Sequence, residues 1–493
     1  MKRYKRIGLL SCAAALLVSV LAPLAFADHK TVGRVHQHRQ GTPAAACTEA
    51  DDGGLCTYLP IVEITTGGQT IPGRPIYHED GSVTYTLAED GETSITAEMA
   101  VVGTDSSVYH HANGTPDVTS QIQLRVRGNS SRSFDKPSYA IRLVDGAGNN
   151  APRSIMGMDA HHEWVLYGPW LDKTAVRNYM FYNLAGEMMD YAPNVRYCEV
   201  ILDGEYQGLY VMTERVTGGK DGARLGLTVS AKRQEFTGYL LRLDHKRPEE
   251  EPLNSFTTYT YTTPLLLQIE YPGEKNRDEA LTEAIRQDFS DFEKVLYSFD
   301  YDREGRGYQT LLDVEDFAAY FILNELSSNA DAGNYSTYIY KGTDGLFHMC
   351  VWDFNNACDN YFEEEISHEG FFLQNRLWYY MLMKHEDFTG RIIHRYRDLR
   401  KALLSEEALD AYVDETLAFI APALARNDVR WGDVSQQANL LVPAERNPTS
   451  RTAAEGQLKG YLHQRGDWLD EHIETLRQYS AASKVKQYNE END

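Results

Sequence analysis

The segment at residues 329–361 constrains the fold of this chain most strongly. It reads NADAGNYSTYIYKGTDGLFHMCVWDFNNACDNY. Residues 335–341 alternate aromatic or branched side chains with small ones, residues 342–345 have the composition of a turn, and residues 346–352 form a second apolar run. Two apolar runs joined by a short polar turn are typical of a β-hairpin. The sequence therefore predicts two antiparallel strands joined at residues 342–345.

An aspartate stands at each foot of this predicted hairpin. Asp331 comes just before the first strand, and Asp353 comes just after the second. Because a hairpin folds back on itself, both carboxylates are expected near its open end. Two such acids suit phosphoryl transfer, in which one orients or deprotonates an attacking hydroxyl and the other holds Mg²⁺. Aspartate is also common at turns and helix caps, so the spacing alone fits two ordinary loop-end residues as well.

The residues around these aspartates resemble the core of a known family. Asn-x-Asp, the strand STYIYK and the segment VWDFN are similar to the core of the spore coat protein H (CotH) kinase-like family. Further motifs match in the same order upstream, at residues 59–64, 127–131, 136–142, 172–178, 208–214 and 238–244. The resemblance covers most of the mature chain. It implies an atypical secreted or surface protein kinase that binds ATP and a divalent metal.

The resemblance also implies roles for individual residues at the hairpin. Asp331 corresponds to the catalytic acid, and Asp353 is the expected main ligand of Mg²⁺ or Mn²⁺. Asn334 is the candidate for a second metal ligand, although it follows Asp331 more closely than in the usual kinase loop. The family often has a second aspartate after Trp-Asp-Phe, whereas this chain has Asn355 and Asn356. That difference weakens metal binding only if the second aspartate is a ligand.

A second predicted hairpin upstream has the layout of a phosphate-covering loop. Strands are predicted at 121–126 and 139–144, with a small polar loop at 127–133 between them. Glycine and serine let backbone N–H groups approach phosphates, and Arg127 or Arg132 would add positive charge. From the loop alone, an ordinary β-hairpin is the simpler explanation.

Two residues compete for the role of the phosphate-contacting cation after this loop. Kinases place a lysine on the following strand, where this chain has Arg142, with Lys136 just before the strand. An arginine there departs from the family's more usual lysine, and the sequence does not decide between the two. The candidate ATP-binding residues are Arg127, Gly128, Asn129, Ser130, Lys136 and Arg142.

The distribution of strand and helix patterns predicts an α+β fold. Strand patterns dominate the first half of the chain and helical spacing dominates the second. Helices are expected after Asp172 and at 279–297, 313–328, 390–404, 406–425 and 454–478. Together with the resemblance, this implies an atypical bilobal kinase-like domain over 58–480. Its strand-rich N-lobe would span about 58–245 and its helix-rich C-lobe about 278–480, with the adenine near the crossing.

The charge of the chain limits its partners. The formal net charge is −24, from 72 acidic and 48 basic residues. Nucleic acid and anionic membrane surfaces require a basic footprint, so neither is expected as the main partner. A protein substrate that is basic or rich in Ser and Thr fits this field better.

Residues 1–27 have the pattern of a cleaved secretory signal peptide. A basic start is followed by an apolar stretch and by Ala25-Phe-Ala27. Such a segment would direct export of the chain to the extracellular space, the cell surface or a spore coat. A lipoprotein signal at Cys12 is the second interpretation and an uncleaved anchor is the third. No later segment is apolar enough to cross a bilayer.

The ends of the mature chain carry less information. Residues 28–57 read as a flexible lead-in and 481–493 as a polar tail. Cys47 and Cys56 are placed to close a small disulfide loop in an oxidising compartment. Cys350 and Cys358 read as small buried hydrophobic residues.

Two functions from different classes follow. The first is an exported kinase that transfers the γ-phosphoryl group of ATP to Ser or Thr of a surface or coat protein, with Mg²⁺ or Mn²⁺ as cofactor. The second is a non-catalytic coat or surface protein that keeps the kinase-like shape and binds partners. Retention of Asp331 and Asp353 favours the first, and the departures at Arg142 and Asn355 favour the second.

Overall fold

A computed structural model describes residues 34–44, 47, 54–219, 225–229, 237–245, 253, 267–301 and 303–481. The predicted signal peptide, residues 28–33, 45–46 and 48–53 of the predicted lead-in, and the tail after 481 lie outside the described residues. Within the described part, no helix combines the length and the apolar character that a membrane crossing needs. A disulfide joins Cys47 to Cys56, and Cys350 and Cys358 are buried among apolar side chains.

The strands lie mostly in the first half of the chain, as predicted. They are β1 (Cys56–Thr57), β2 (Ile61–Thr65), β3 (Pro75–Tyr77), β4 (Val83–Tyr85), β5 (Ile95–Val102), β6 (His110–His111), β7 (Val118–Arg127), β8 (Ser138–Val144), β9 (Glu163–Tyr167), β10 (Val195–Leu202), β11 (Glu205–Glu214), β12 (Tyr239–Leu243), β13 (Leu267–Tyr271), β14 (Thr337–Lys341) and β15 (Phe347–Cys350).

Seven of the strands described here close into a barrel. Their order is β10-β11-β9-β8-β7-β5-β2, and β2 closes the ring by pairing in parallel with β10. Side chains alternate along each strand, so Ile122, Leu124 and Val126 of β7 enter the barrel core. Arg127, at the end of the same strand, has the opposite parity and lies on the outer face. The barrel therefore presents Arg127 to whatever packs outside it.

The second sheet contains the hairpin predicted from residues 335–352. Its order is β13-β12-β14-β15, and β14 pairs antiparallel with β15 in the register Tyr338↔Cys350. The N-lobe was expected to extend to about residue 245, which would include β12, but β12 belongs to this second sheet. β12 pairs with β14 from the second half of the chain rather than with the barrel. All five residues of β12 are buried, which is typical of a central strand.

The helices follow in the second half, apart from α1. They are α1 (Arg177–Met188), α2 (Glu279–Tyr297), α3 (Val314–Ser327), α4 (Tyr379–Leu382), α5 (Glu386–Arg400), α6 (Glu406–Trp431) and α7 (Arg451–His472). Asp278 and Asp313 cap α2 and α3 by accepting hydrogen bonds from the backbone N–H groups of Leu281 and Asp316. The helix expected after Asp172 begins later, with Val176 at its N-cap position. The α+β class is confirmed.

The helix α3 occupies the centre of the larger apolar core. Every residue of α3 from Asp316 to Ser327 is buried, and Phe317, Phe321 and Leu323 belong to the core. Its C-cap residue Ser328 has φ 43°, a left-handed conformation that ends the helix. The chain then turns directly into Asn329 and Asp331, so a fully buried helix fixes where these residues lie.

Candidate active site

The side chain of Asn329 joins the end of α3 to the foot of the second hairpin strand. Its Nδ2 donates to the Asn324 Oδ1 and to the Asp353 carbonyl oxygen, each at 3.2 Å. Asn329 itself is 2% exposed. Because both partners are rigidly placed, the segments that carry Asp331 and Asp353 are held together at the open end of the hairpin.

Helix α1 holds the backbone around Asp353. The Asp353 N–H donates to the Tyr182 hydroxyl at 2.9 Å, and the Phe354 N–H donates to the Asn178 Oδ1 at 2.6 Å. Asp353 has φ 56°, a left-handed conformation that Asp tolerates better than most residues. Arg177 of the same helix also holds this segment, because its Nε donates to the Ala357 carbonyl at 2.8 Å. The direction of the Asp353 carboxylate is therefore imposed by contacts from another element.

The carboxylates of Asp331 and Asp353 interact electrostatically. Burial and the neighbouring charge of Asp353 raise the pKa of Asp331 to about 6, although the Asn356 Nδ2 donates to its Oδ2 at 2.9 Å. Burial also raises the pKa of Asp353, and the Arg127 guanidinium opposes this shift. Two partly buried acids that disfavour each other's charge suit a site that binds a cation or accepts a proton.

A third carboxylate and an arginine also lie near this pair. The charge of Asp244 raises the pKa of both Asp331 and Asp353. Arg127 extends from the outer face of the barrel over the Trp352 ring, with its Cζ 5.6 Å from the ring centroid. The site therefore lies where the barrel meets the second sheet. Asp244 belongs to a motif quoted above, but only the pairing of β12 with β14 reveals its place here.

A chain of ion pairs anchors Asp244. Arg215 joins Glu163 of β9, at 2.8 Å, to Glu270 of β13. Arg242 then joins Glu270, at 3.1 Å, to Asp244, at 3.0 Å. Arg242 is 1% exposed, so its buried charge is balanced by these ion pairs. The network links the barrel to the second sheet directly beside the acid pair.

The oxygen atoms at the site fit a hard divalent cation. The side-chain Oδ1 atoms of Asn329, Asn355 and Asn356 are buried and accept no hydrogen bond from the described part of the chain. Carboxylate and amide oxygens are the ligands that Mg²⁺ and Mn²⁺ prefer. Asp331, Asp353 and the adjacent amides thus supply suitable donors, and Asn355 and Asn356 contribute neutral oxygens where the family often has an acid.

Comparison with models of protein families gives the family of this chain. The family model described as "CotH kinase protein" matches residues 124–469, which include the loop after β7, the acid pair, helices α1 to α6 and α7 up to residue 469. The chain belongs to the CotH kinase family. No curated protein matches the sequence.

Asn334, predicted from the CotH resemblance as a second metal ligand, is not brought to the acid pair. Its side chain is exposed, and its amide faces the Arg376 guanidinium at 3.2 Å. Only its backbone reaches Asp331, through an N–H donated to the Asp331 carbonyl at 2.9 Å. The short offset from Asp331, which already departs from the usual kinase loop, corresponds to a tight turn in the structure. The amide that contacts a carboxylate of the pair is that of Asn356, which donates to the Asp331 Oδ2.

The predicted phosphate loop begins at the site and leads away from it. Gly128 has φ 119°, and a Cβ there would collide with the Ser131 Oγ at 1.9 Å, so this position requires glycine. Asn129 and Ser130 are exposed. A short 3₁₀ helix (Ser130–Ser133) follows. Arg132 stabilises the loop by donating from its Nε to the Gly128 carbonyl at 2.6 Å.

Neither of the two competing cations contacts the acid pair through the hydrogen bonds and ion pairs of the described residues. Lys136 is 1% exposed and donates to the Leu209 carbonyl at 2.5 Å and the Asn427 Oδ1 at 2.6 Å. It therefore joins β11 to α6, and burial lowers its pKa. Arg142 donates to the Gln123 Oε1 at 2.6 Å on the outer face of the barrel. Arg127 is the predicted cation that the structure brings to Asp353.

Proposed function

We propose that this CotH family member is an exported protein kinase that transfers the γ-phosphoryl group of ATP to Ser or Thr of a surface or coat protein. In this proposal the barrel and the helical part act as the two lobes of a reduced kinase. One observation carries it: two partly buried carboxylates lie together beside buried amide oxygens that accept no hydrogen bond from the residues that the structure describes. This is the donor set that a metal-bound nucleotide requires.

The two aspartates have different surroundings and therefore different proposed roles. The pKa of Asp331 is about 6, so its carboxylate is mostly ionised at neutral pH and is close to the optimum for a general base. It would orient the substrate hydroxyl and accept its proton. Asp353, with Asn355 or Asn356, would hold Mg²⁺ or Mn²⁺. The bound metal would neutralise charge on the phosphates.

The proposed phosphate contacts come from the loop after β7. Arg127 supplies a fixed positive charge next to Asp353. Gly128, Asn129 and Ser130 present backbone at the exposed start of the loop, where N–H groups are available to phosphate oxygens. The strongly acidic chain would favour a basic substrate segment, and Ser or Thr within that segment would supply the acceptor hydroxyl.

Nucleotide binding is the first test. The melting temperature of the mature protein is expected to rise with Mg-ATP, and the rise should be lost in Asp353→Asn. Asp203→Asn is a matched control, because Asp203 is also a left-handed aspartate at a strand end, with φ 48°. It should respond to Mg-ATP like the wild type.

Transfer is tested separately, with labelled ATP and a Ser/Thr-rich basic protein. Incorporation in the wild type that is absent in Asp331→Asn would support the kinase. The alternative is a non-catalytic surface or coat protein, which is favoured by the neutral Asn355 and Asn356 and by the structural use of Lys136. No Mg-ATP shift in the wild type would favour that alternative and contradict the kinase.

A further inference from the structure

The turn end of the hairpin carries a second cluster of charged side chains, at the opposite end of the strands from the acid pair. His348 lies on β15, Asp316 in the first turn of α3, and Asp190 just after α1. Asp344 lies in the hairpin turn itself, before β15. Four separate segments of the chain therefore contribute to one point.

Three potential ligand atoms converge in this cluster. The His348 Nδ1 is 3.0 Å from the Asp316 Oδ2 and 3.9 Å from the Asp190 Oδ2. The ligand atoms of these three residues all lie within 4.8 Å of one another. The side chains of His348 and Asp316 are each 3% exposed, whereas that of Asp190 is 62% exposed. The cluster is thus rigid on its inner side and open to solvent at Asp190.

Contacts with neighbouring groups orient the side chains of His348 and Asp316, as contacts around metal ligands commonly do. The His348 Nε2 faces the Asp344 Oδ2 at 3.1 Å, an arrangement in which a carboxylate fixes the ring while the other nitrogen binds a metal. The Asp316 Oδ1 accepts from the Asp190 N–H at 2.9 Å, which leaves its Oδ2 directed at His348. The Tyr340 ring stacks on the imidazole, with centroids 5.0 Å apart.

We propose that Asp190, Asp316 and the Nδ1 of His348 form a binding site for a divalent transition metal, with Zn²⁺ as the best match. Imidazole nitrogen and carboxylate oxygen are both ligands of zinc, and solvent at Asp190 would provide the fourth ligand of a tetrahedral site. Asp344 would act as a positioning residue. The proposal is independent of the proposed kinase activity, because it involves none of the residues of the acid pair.

A metal at this site would cross-link three elements. Asp190 belongs to the connection between α1 and β10, Asp316 to α3, and His348 to β15. Two of these elements, α3 and β15, run directly into Asp331 and Asp353. Zinc binding should therefore stabilise the folded protein and the segments that position the acid pair.

The experiment uses the mature protein after removal of metals with a chelator. An Asp353→Asn background keeps the acid pair from contributing. Zn²⁺ is titrated by calorimetry and by melting temperature, and Co²⁺ serves as a spectroscopic probe of nitrogen and oxygen ligation. We expect one ion per chain, a higher melting temperature and Co²⁺ absorption bands in the visible range.

Variants separate a metal site from a simple buried ion pair. Asp190→Asn keeps the Asp316–His348 pair but removes one ligand, and it should weaken Zn²⁺ binding at least about tenfold. Asp344→Asn should weaken it by roughly ten- to a hundredfold, as for other residues that orient a metal-bound histidine. Glu205→Gln, at the exposed start of β11, is the control and should bind like the parent. Equal affinity in Asp190→Asn, or no Zn²⁺ effect in the parent, would overturn the proposal.

Discussion

The two ends of the hairpin differ in whether their buried charges have partners of opposite sign. At the open end, burial and the charges of Asp353 and Asp244 raise the pKa of Asp331. Burial and the charge of Asp244 also raise the pKa of Asp353, against the opposing charge of Arg127. At the turn end, burial alone would lower the pKa of His348, but its hydrogen bonds and charge interactions with Asp316 and Asp344 raise it to about 9. The buried charges at the turn end are balanced by opposite charges within the chain, whereas those at the open end are not. Uncompensated charge of this kind costs stability and is retained mainly where a ligand or a reaction uses it.

The largest expected effect concerns the open end. Asp331→Asn should lower phosphoryl transfer by roughly 10²–10⁴-fold, because it removes the proposed general base without changing the size of the side chain. Activity with labelled ATP measures the loss, and circular dichroism should show an unchanged fold. A variant with normal activity would remove Asp331 from the mechanism.

The turn end should respond through stability instead. His348→Ala leaves the 3%-exposed Asp316 carboxylate without its charged partner, and breaking a buried pair in this way costs about 3–5 kcal/mol. Urea denaturation of chelator-treated protein measures the difference in unfolding free energy. Ser120→Ala, on β7 of the barrel, serves as a surface control. A cost below about 1 kcal/mol would mean that the pair contributes little.

The pH dependence of stability should separate the two ends. The pKa of Asp331 rises from 3.8 to about 6 on folding, so the folded state holds this proton more tightly and stability falls as pH rises through that range. The pKa of His348 rises from 6.5 to about 9, so its contribution is complete below 6.5 and is lost as pH rises through 9. Each effect is at most about 3 kcal/mol.

Two variants assign these pH ranges in metal-free protein. Asp331→Asn should reduce the pH dependence of the unfolding free energy in the acidic range only, and His348→Gln should reduce it in the alkaline range only. Urea denaturation at a series of pH values provides the measurement. The same slope in the variant and the wild type would contradict the corresponding assignment.

The smallest expected effect comes from making the open end more acidic. Asn356→Asp replaces the amide that donates to the Asp331 Oδ2 at 2.9 Å with another carboxylate. Without metal it should lower stability by about 1 kcal/mol, and it should tighten Mg²⁺ binding roughly tenfold because ligand charge increases. Calorimetric titration with Mg²⁺ tests this. Weaker binding in the variant would place Asn356 outside the metal's ligands.

The sequence predicted what depends on local pattern. Alternation and turn composition predicted the hairpin, whose strands are Thr337–Lys341 and Phe347–Cys350. Helical spacing predicted α2 from Glu279 to Tyr297, and helical spacing with the capping Asp313 predicted α3. The α+β class follows from the same periodicities.

The sequence did not predict what depends on contacts between distant segments. The pairing of β12 with β14 brings Asp244 to the acid pair, yet about ninety positions separate these strands and no periodicity records that contact. Lys136 lies just before the strand on which kinases carry a phosphate-binding lysine, but β11 and α6 pack against it and accept its hydrogen bonds. The cluster around His348 likewise exists only because α1, α3 and the hairpin turn converge.

The helix α3 has a mechanical consequence for both ends. It contains fourteen residues and is therefore about 21 Å long, with Asp316 in its first turn and Asp331 just beyond its last. Close packing on all sides leaves such a rod little freedom to bend or compress, so a displacement at one tip is carried to the other. Metal binding near His348 and metal binding at Asp331 and Asp353 should thus be thermodynamically linked, so that each changes the affinity of the other by the same factor.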